Sequence, residues 1–168
     1  MQRALALKVL GQLVERAHDR HVVGHSFGGQ VALDIALAAP ERVRSLTMIC
    51  SRDTPYPPFA AAAAALRRGD SVDINAAMSR WFRPEELQAE GPVVRYARHC
   101  LRHADRSSWA DALDGIANYD RSLLVSRLDV AVTLIAAEFD QVSNPQTWPR
   151  SPTGSPAVGC RSSAAPPI

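Results

Sequence analysis

The feature that most constrains this chain is the pentapeptide Gly24-His25-Ser26-Phe27-Gly28, set between a short β-branched run, His21-Val22-Val23, and a nearly continuous apolar stretch from Val31 to Ala39. A strand that stops at a glycine and restarts at once as a buried helix must turn sharply, and Pro40 then ends the helical pattern. On such a turn the serine takes an unfavourable backbone angle, so that its hydroxyl stands clear of the sheet edge. Gly24 and Gly28 are expected to flank it because side chains there would collide, and Gly29 to let helix and strand approach closely. The helix N-terminus presents unpaired N–H groups and positive potential beside the serine, with the Phe27 amide as the first donor to an oxyanion.

The rest of the chain builds a frame around that turn. From Gln2 to Ala17 the apolar residues Leu7, Leu10, Val14 and Ala17 alternate with Lys8, Gln12, Glu15 and Arg16, the spacing of an amphipathic helix. Val43 to Cys50 predicts a second buried strand one crossover downstream, and Val130 to Ala137 a third, closing in the acidic turn Glu138-Phe139-Asp140. Strands that alternate with helices form a parallel sheet. Between the second and third strands, Pro55, Pro57 and Pro58 break the pattern and the alanine run Ala60–Ala65 restarts it, so a helical insertion is expected to about Leu124. The implied organisation is a sheet segment over 1–54, a helical cap over 55–125, a second sheet segment over 126–145 and a tail over 146–168. The Pro/Ser/Ala/Gly/Arg composition of that tail predicts disorder.

Composition removes several function classes. With 46% hydrophobic and 21% charged residues and a net charge of +2, the 168-residue chain has no basic face for nucleic acid or an anionic membrane. No apolar run approaches the ~18 residues that span a bilayer, and the N-terminus lacks an apolar export signal. Cys50, Cys100 and Cys160 have neither zinc-site nor disulfide-framework spacing, which fits reduced thiols in a cytoplasmic protein.

Val22 through Gly29, followed by Ala39-Pro40-Glu41-Arg42-Val43, resembles the centre of the α/β-hydrolase superfamily, in its branch of small esterases, lactonases and enol-lactonase-like enzymes. The resemblance continues to Ala137–Pro145, similar to the family's acid loop, and implies a partial α/β-hydrolase fold: a short parallel sheet with flanking helices and a helical cap insertion. It implies Ser26 as nucleophile, Gly24-His25-Ser26-Phe27-Gly28 as the nucleophile elbow, Phe27 as oxyanion donor and Asp140 as the acid that orients a histidine. A small acyl substrate is implied, an ester or lactone, with no metal or organic cofactor. Asp53, after the second strand, occupies a position that supplies the acid in some relatives, and Glu138 is a more distant candidate.

The histidine is where the sequence departs from the family, because His18, His21, His25, His99 and His103 all precede Asp140. His25 is expected to pack at the turn rather than act as base, and the i, i+4 pair His99/His103 to lie on a solvated cap helix rather than hold a metal. Asp34 is expected to be a solvated or paired charge, Cys50 an inert buried thiol, and Trp81, Phe82, Trp109 and Tyr119 to wall an apolar pocket or fill the cap core. The resemblance also leaves the first and third strands as open edges, which invites self-association. The rival expectation is an inactive, truncated or frame-disrupted hydrolase, at most a binding module. Its support is the missing histidine and the shift in composition from about Thr147.

Overall fold

A computed structural model of the chain describes residues 20–138 and 140–145. The expected amphipathic helix over 2–17 and the tail beyond 145 lie outside the described residues. Three strands, β1 (Arg20–His25), β2 (Val43–Ile49) and β3 (Ala131–Ile135), form one sheet in the order β1-β2-β3, parallel throughout. The register aligns His25 with Ile49 and Ile49 with Ile135, so all three strands end at the same carboxyl edge. That edge is where parallel α/β sheets place their ligands, because the strand-to-helix turns gather there.

Helix α1 (Phe27–Ala38) joins β1 to β2 and supplies half of the core. Its Ala32, Leu33, Ile35 and Ala36 meet Val43, Leu46 and Met48 of β2, with Leu33 and Leu46 fully enclosed. Burial of such a leucine contributes about 2 kcal/mol. A helix with this many apolar positions cannot remain solvated, and β2, flanked by a strand on each side, is where it settles. Both outer strands are half open: Val23 is 63% and Ile135 is 40% exposed.

Residues 57–117 form a separate compact unit of five helices: α2 (Pro58–Arg68), α3 (Ile74–Met78), α4 (Pro84–Ala89), α5 (Pro92–His103) and α6 (Arg106–Ala117). The alanine run does form a helix, in which Ala63 and Leu66 pack with Ala110 of α6 into one small core. Small side chains on both helices allow that close approach, and Arg67 forks across it to Asp111 at 2.9 Å and Asp114 at 2.8 Å. A second core joins Ala77, Met78, Val94 and Leu101, with Phe82 and Trp109 partly buried against it. Trp81 stands 57% exposed instead.

Residues 118–145 group with the sheet. Tyr119, expected among the cap aromatics, is 2% exposed within the sheet core, where its hydroxyl donates to the Gln30 carbonyl at 2.9 Å and to Asp34 Oδ1 at 3.1 Å. Burial, and then the carboxylate of Asp34, push its phenol far above the ordinary tyrosine range. Arg121 completes the cluster, reaching Asp34 Oδ1 at 2.7 Å with its guanidinium 4.8 Å from the Tyr119 ring centre. Asp34 is thus a paired and largely enclosed charge on α1. No helix among the described residues is long and apolar enough to cross a membrane.

Candidate active site at the carboxyl edge of the sheet

Ser26 sits between β1 and α1 with φ 52° and ψ −123°, a conformation that L-residues rarely adopt and that costs about 1–3 kcal/mol. Three backbone ties hold it there. Its amide donates to the Ile49 carbonyl at 2.9 Å, and its own carbonyl accepts from the Gly29 amide at 2.9 Å and from Ser51 Oγ at 2.8 Å. The Ser26 residue is exposed, while Phe27, as the first residue of α1, has no carbonyl four positions back within the helix for its amide.

The glycines around the turn divide unexpectedly. A Cβ on Gly24 would stand 2.3 Å from the Gly28 carbonyl oxygen and 2.6 Å from Gly29 Cα, and one on Gly29 would meet Ser51 Cβ at 2.5 Å. A Cβ on Gly28 meets nothing within 4 Å. The expected collision at Gly28 is therefore absent, because open space faces that position. It is the backbone of Gly28, not its missing side chain, that crowds Gly24.

Asp140 lies on the loop after β3, at the same edge of the sheet. Its amide donates to the Ala137 carbonyl at 3.2 Å, and its Oδ1 accepts from the amides of Val142 at 2.7 Å and Ser143 at 3.0 Å. An aspartate that caps its own loop in this way has one oxygen committed to backbone. Two residues after β2 face the same loop. The Arg52 Nη1 donates to the Val142 carbonyl at 2.7 Å, and Cys50, half-buried with φ 44°, is near enough to feel the Asp140 charge. Burial first, and then that carboxylate, push the Cys50 thiol up, against the lowering effect of the Ala137 amide. A thiol held neutral is a poor nucleophile.

Asp53 is 1% exposed, and neither of its carboxylate oxygens has a hydrogen-bond partner among the described residues. Burial, reinforced by Asp120, pushes its carboxyl above the usual range, although its own backbone amide and Arg52 act the other way. The folded state therefore holds this proton more tightly than the unfolded chain, so stability falls as pH rises above the ordinary carboxylate pKa of about 4. Asp53→Asn removes that penalty. Its melting temperature is expected to gain on the parent as pH climbs from about 3, below the ordinary carboxylate pKa, to about 8; a gap that stays constant across the series would contradict the assignment. Enclosed in this way, Asp53 is a poor acid for an incoming imidazole.

The described histidines divide between the two units, and His18 lies outside the described residues. His21 Nδ1 is hydrogen-bonded to Ser45 Oγ at 2.7 Å, and His25, expected to pack at the turn, is exposed at the end of an edge strand. On α5, His99 and His103 are exposed, with ring centres 4.1 Å apart and His103 Nδ1 at 2.8 Å from the His99 carbonyl oxygen. No group of three or more metal-ligating side chains occurs among the described residues. Sequence reasoning missed Ser51 and Arg52 as parts of this edge. The available signal was a polar Ser51-Arg52-Asp53 cluster directly after a buried strand.

A parallel sheet whose first strand delivers a strained, exposed serine to a helix N-terminus defines the class of the protein. The chain belongs to the alpha/beta hydrolase family, whose model matches residues 2–157. It is 26% identical over 148 residues to the RutD protein of Pseudomonas syringae pv. syringae, covering 83% of this chain and 57% of that protein. It is 28% identical over 135 residues to the pimeloyl-[acyl-carrier protein] methyl ester esterase of Neisseria meningitidis, covering 74% and 43% of the two chains. The fold is that of the enol-lactonase from Burkholderia xenovorans LB400, with a TM-score of 0.77 at 19% identity over 88% of this chain and 58% of that one. The chain thus spans about half the length of these relatives.

Proposed function

We propose that this chain carries the nucleophile of a serine hydrolase acting on a small ester, lactone or similar acyl substrate. Ser26 attacks the carbonyl as a histidine takes its hydroxyl proton, and the Phe27 amide receives the developing oxyanion. Asp140 serves as the acid that orients that histidine, which is not identified among the histidines of this chain. The observation that carries the reading is the strained, exposed Ser26 at the N-terminus of α1, a geometry that costs stability. The esterase and lactonase named among its relatives support the substrate class.

A second reading rests on the histidines of the described residues, none of which is hydrogen-bonded to Ser26: His21 bonds Ser45 Oγ and His103 the His99 carbonyl. In that reading the turn serves as architecture or as part of an interaction module. Labelling with a fluorophosphonate probe separates the two, because the probe reports an activated serine without requiring the substrate. The expected result is labelling of the parent chain that falls at least tenfold in Ser26→Ala. A folded sample that does not label would overturn the catalytic reading and leave the second.

A further inference from the structure

The loop that carries Asp140 is held from across the sheet edge by a residue ninety positions earlier in the chain. Arg52 spends its whole guanidinium on local anchors and this one distant contact. Its Nε donates to the Thr54 carbonyl at 2.9 Å, Nη2 to Thr54 Oγ1 at 3.0 Å and Nη1 to the Val142 carbonyl at 2.7 Å. Its guanidinium carbon lies 5.1 Å from the Tyr56 ring centre, and Gln30 Nε2 of α1 reaches the Arg52 carbonyl at 3.5 Å. A planar, forked cation with three directed bonds and a ring beneath it has little freedom left, so it acts as a rigid strut.

Val142 is the residue at the other end of that strut. Its carbonyl accepts from Arg52 while its amide donates to Asp140 Oδ1. We propose that Arg52 is a positioning residue for Asp140: by pinning the Val142 peptide it fixes the amide that holds Oδ1, and so fixes the direction in which the carboxylate faces. The proposal deepens the reading of Asp140 as the acid. It assigns no proton transfer to Arg52, whose guanidinium nitrogens bond Thr54 and Val142. Its charge adds a second effect, since the Asp140 carboxylate and the guanidinium interact electrostatically.

Cys50 provides a built-in reporter. Its thiol is raised by burial and by the Asp140 carboxylate, the charged neighbour acting on it. In a Cys100→Ser/Cys160→Ser background, iodoacetamide reacts with Cys50 alone, and the midpoint of its pH-rate profile reads whether Asp140 remains beside it. Loss of a positive charge nearby would by itself raise that midpoint, whereas departure of Asp140 lowers it. The two explanations therefore differ in sign.

The experiment is amide hydrogen exchange at Val142 and Ser143 together with the Cys50 profile, in the full chain, for the parent, Arg52→Gln, Asp140→Asn and the double variant. Arg52→Gln is expected to speed exchange at both amides at least tenfold and to lower the Cys50 midpoint, as Asp140→Asn does, with no further fall in the double variant. Arg52→Lys, which keeps the charge but not the fork, is expected to give intermediate values and serves if the glutamine variant does not fold. Unchanged exchange at Val142 and Ser143 would overturn the proposal. So would a midpoint that falls as far in the double variant relative to Asp140→Asn as in the single variant relative to the parent, since the effect would then bypass Asp140. None of these readouts needs turnover, so absence of probe labelling at Ser26 would sink the catalytic reading without touching them.

Discussion

Gly24→Ala is expected to abolish the soluble folded state, whereas Gly28→Ala, four residues away in the same motif, is expected to be tolerated. A methyl group on Gly24 would sit 2.3 Å from the Gly28 carbonyl oxygen and 2.6 Å from two further backbone atoms, Gly28 C and Gly29 Cα. Backbone cannot rotate aside as a side chain does, so either β1 or α1 must move. Both are tied through Ser26 to β2. The cost is expected to exceed about 4 kcal/mol, a large share of the 5–15 kcal/mol that holds a typical domain together. At Gly28 the added methyl meets nothing within 4 Å, and alanine is the better helix former by about 1 kcal/mol. Thermal unfolding followed by circular dichroism tests both, and a Gly24→Ala protein melting within a few degrees of the parent would show that the turn relaxes. The contrast matters because a five-residue motif treats its two glycines as equivalent and the three-dimensional turn does not.

Removing the carboxylate at Asp34 is expected to destabilise the sheet unit by about 2 kcal/mol, read as a lower urea midpoint with an unchanged slope. The Asp34 side chain is 10% exposed and that of Arg121 29%, so Asp34→Ala leaves a partly enclosed guanidinium without its counter-ion. Tyr119 loses one of its two acceptors but keeps the Gln30 carbonyl. The figure lies below the 3–5 kcal/mol of a fully buried pair because Arg121 retains contact with water. Asp34→Asn, which preserves shape and one acceptor, is expected to recover part of the loss. A double-mutant cycle with Tyr119→Phe should show coupling above about 0.5 kcal/mol, since both residues belong to one network. Additive effects would mean that the Tyr119 hydroxyl and the Asp34 carboxylate contribute independently, with no energetic coupling across their 3.1 Å contact.

This network has a role beyond stability, because it is how the chain returns to the sheet. Tyr119 and Arg121 follow immediately on the helical unit that ends at Ala117, and they fasten that return to α1 and to the carbonyl of Asp53, which accepts from the Arg121 amide at 2.7 Å. The same α1 begins at Ser26. Disturbance at Asp34 is therefore expected to loosen the far side of the helix that presents the serine.

What the sequence determined by itself was local. The strand, turn and helix around Ser26 follow from β-branched residues, a glycine and an apolar run within twenty positions, and the alternation of strand and helix sufficed for a parallel sheet. These signals are legible because backbone sterics and side-chain periodicity act between neighbours in the chain. The boundaries moved by a few residues: β1 runs on through His25, and β3 is shorter than its apolar run, closing at Ile135.

Only the tertiary structure decided what each polar residue near the edge became. Asp34 and Asp53 are the same side chain on neighbouring elements, yet one is paired with Arg121 and the other is enclosed without a hydrogen-bond partner among the described residues. Tyr119 left the company of the cap aromatics for the sheet core, and Arg52 found its acceptor ninety residues downstream. Gly24 became indispensable and Gly28 dispensable through the position of one carbonyl. Burial and partnership depend on which distant segments converge, and a charge or hydroxyl looks the same in sequence whether water, a guanidinium or nothing at all will face it once the chain has closed.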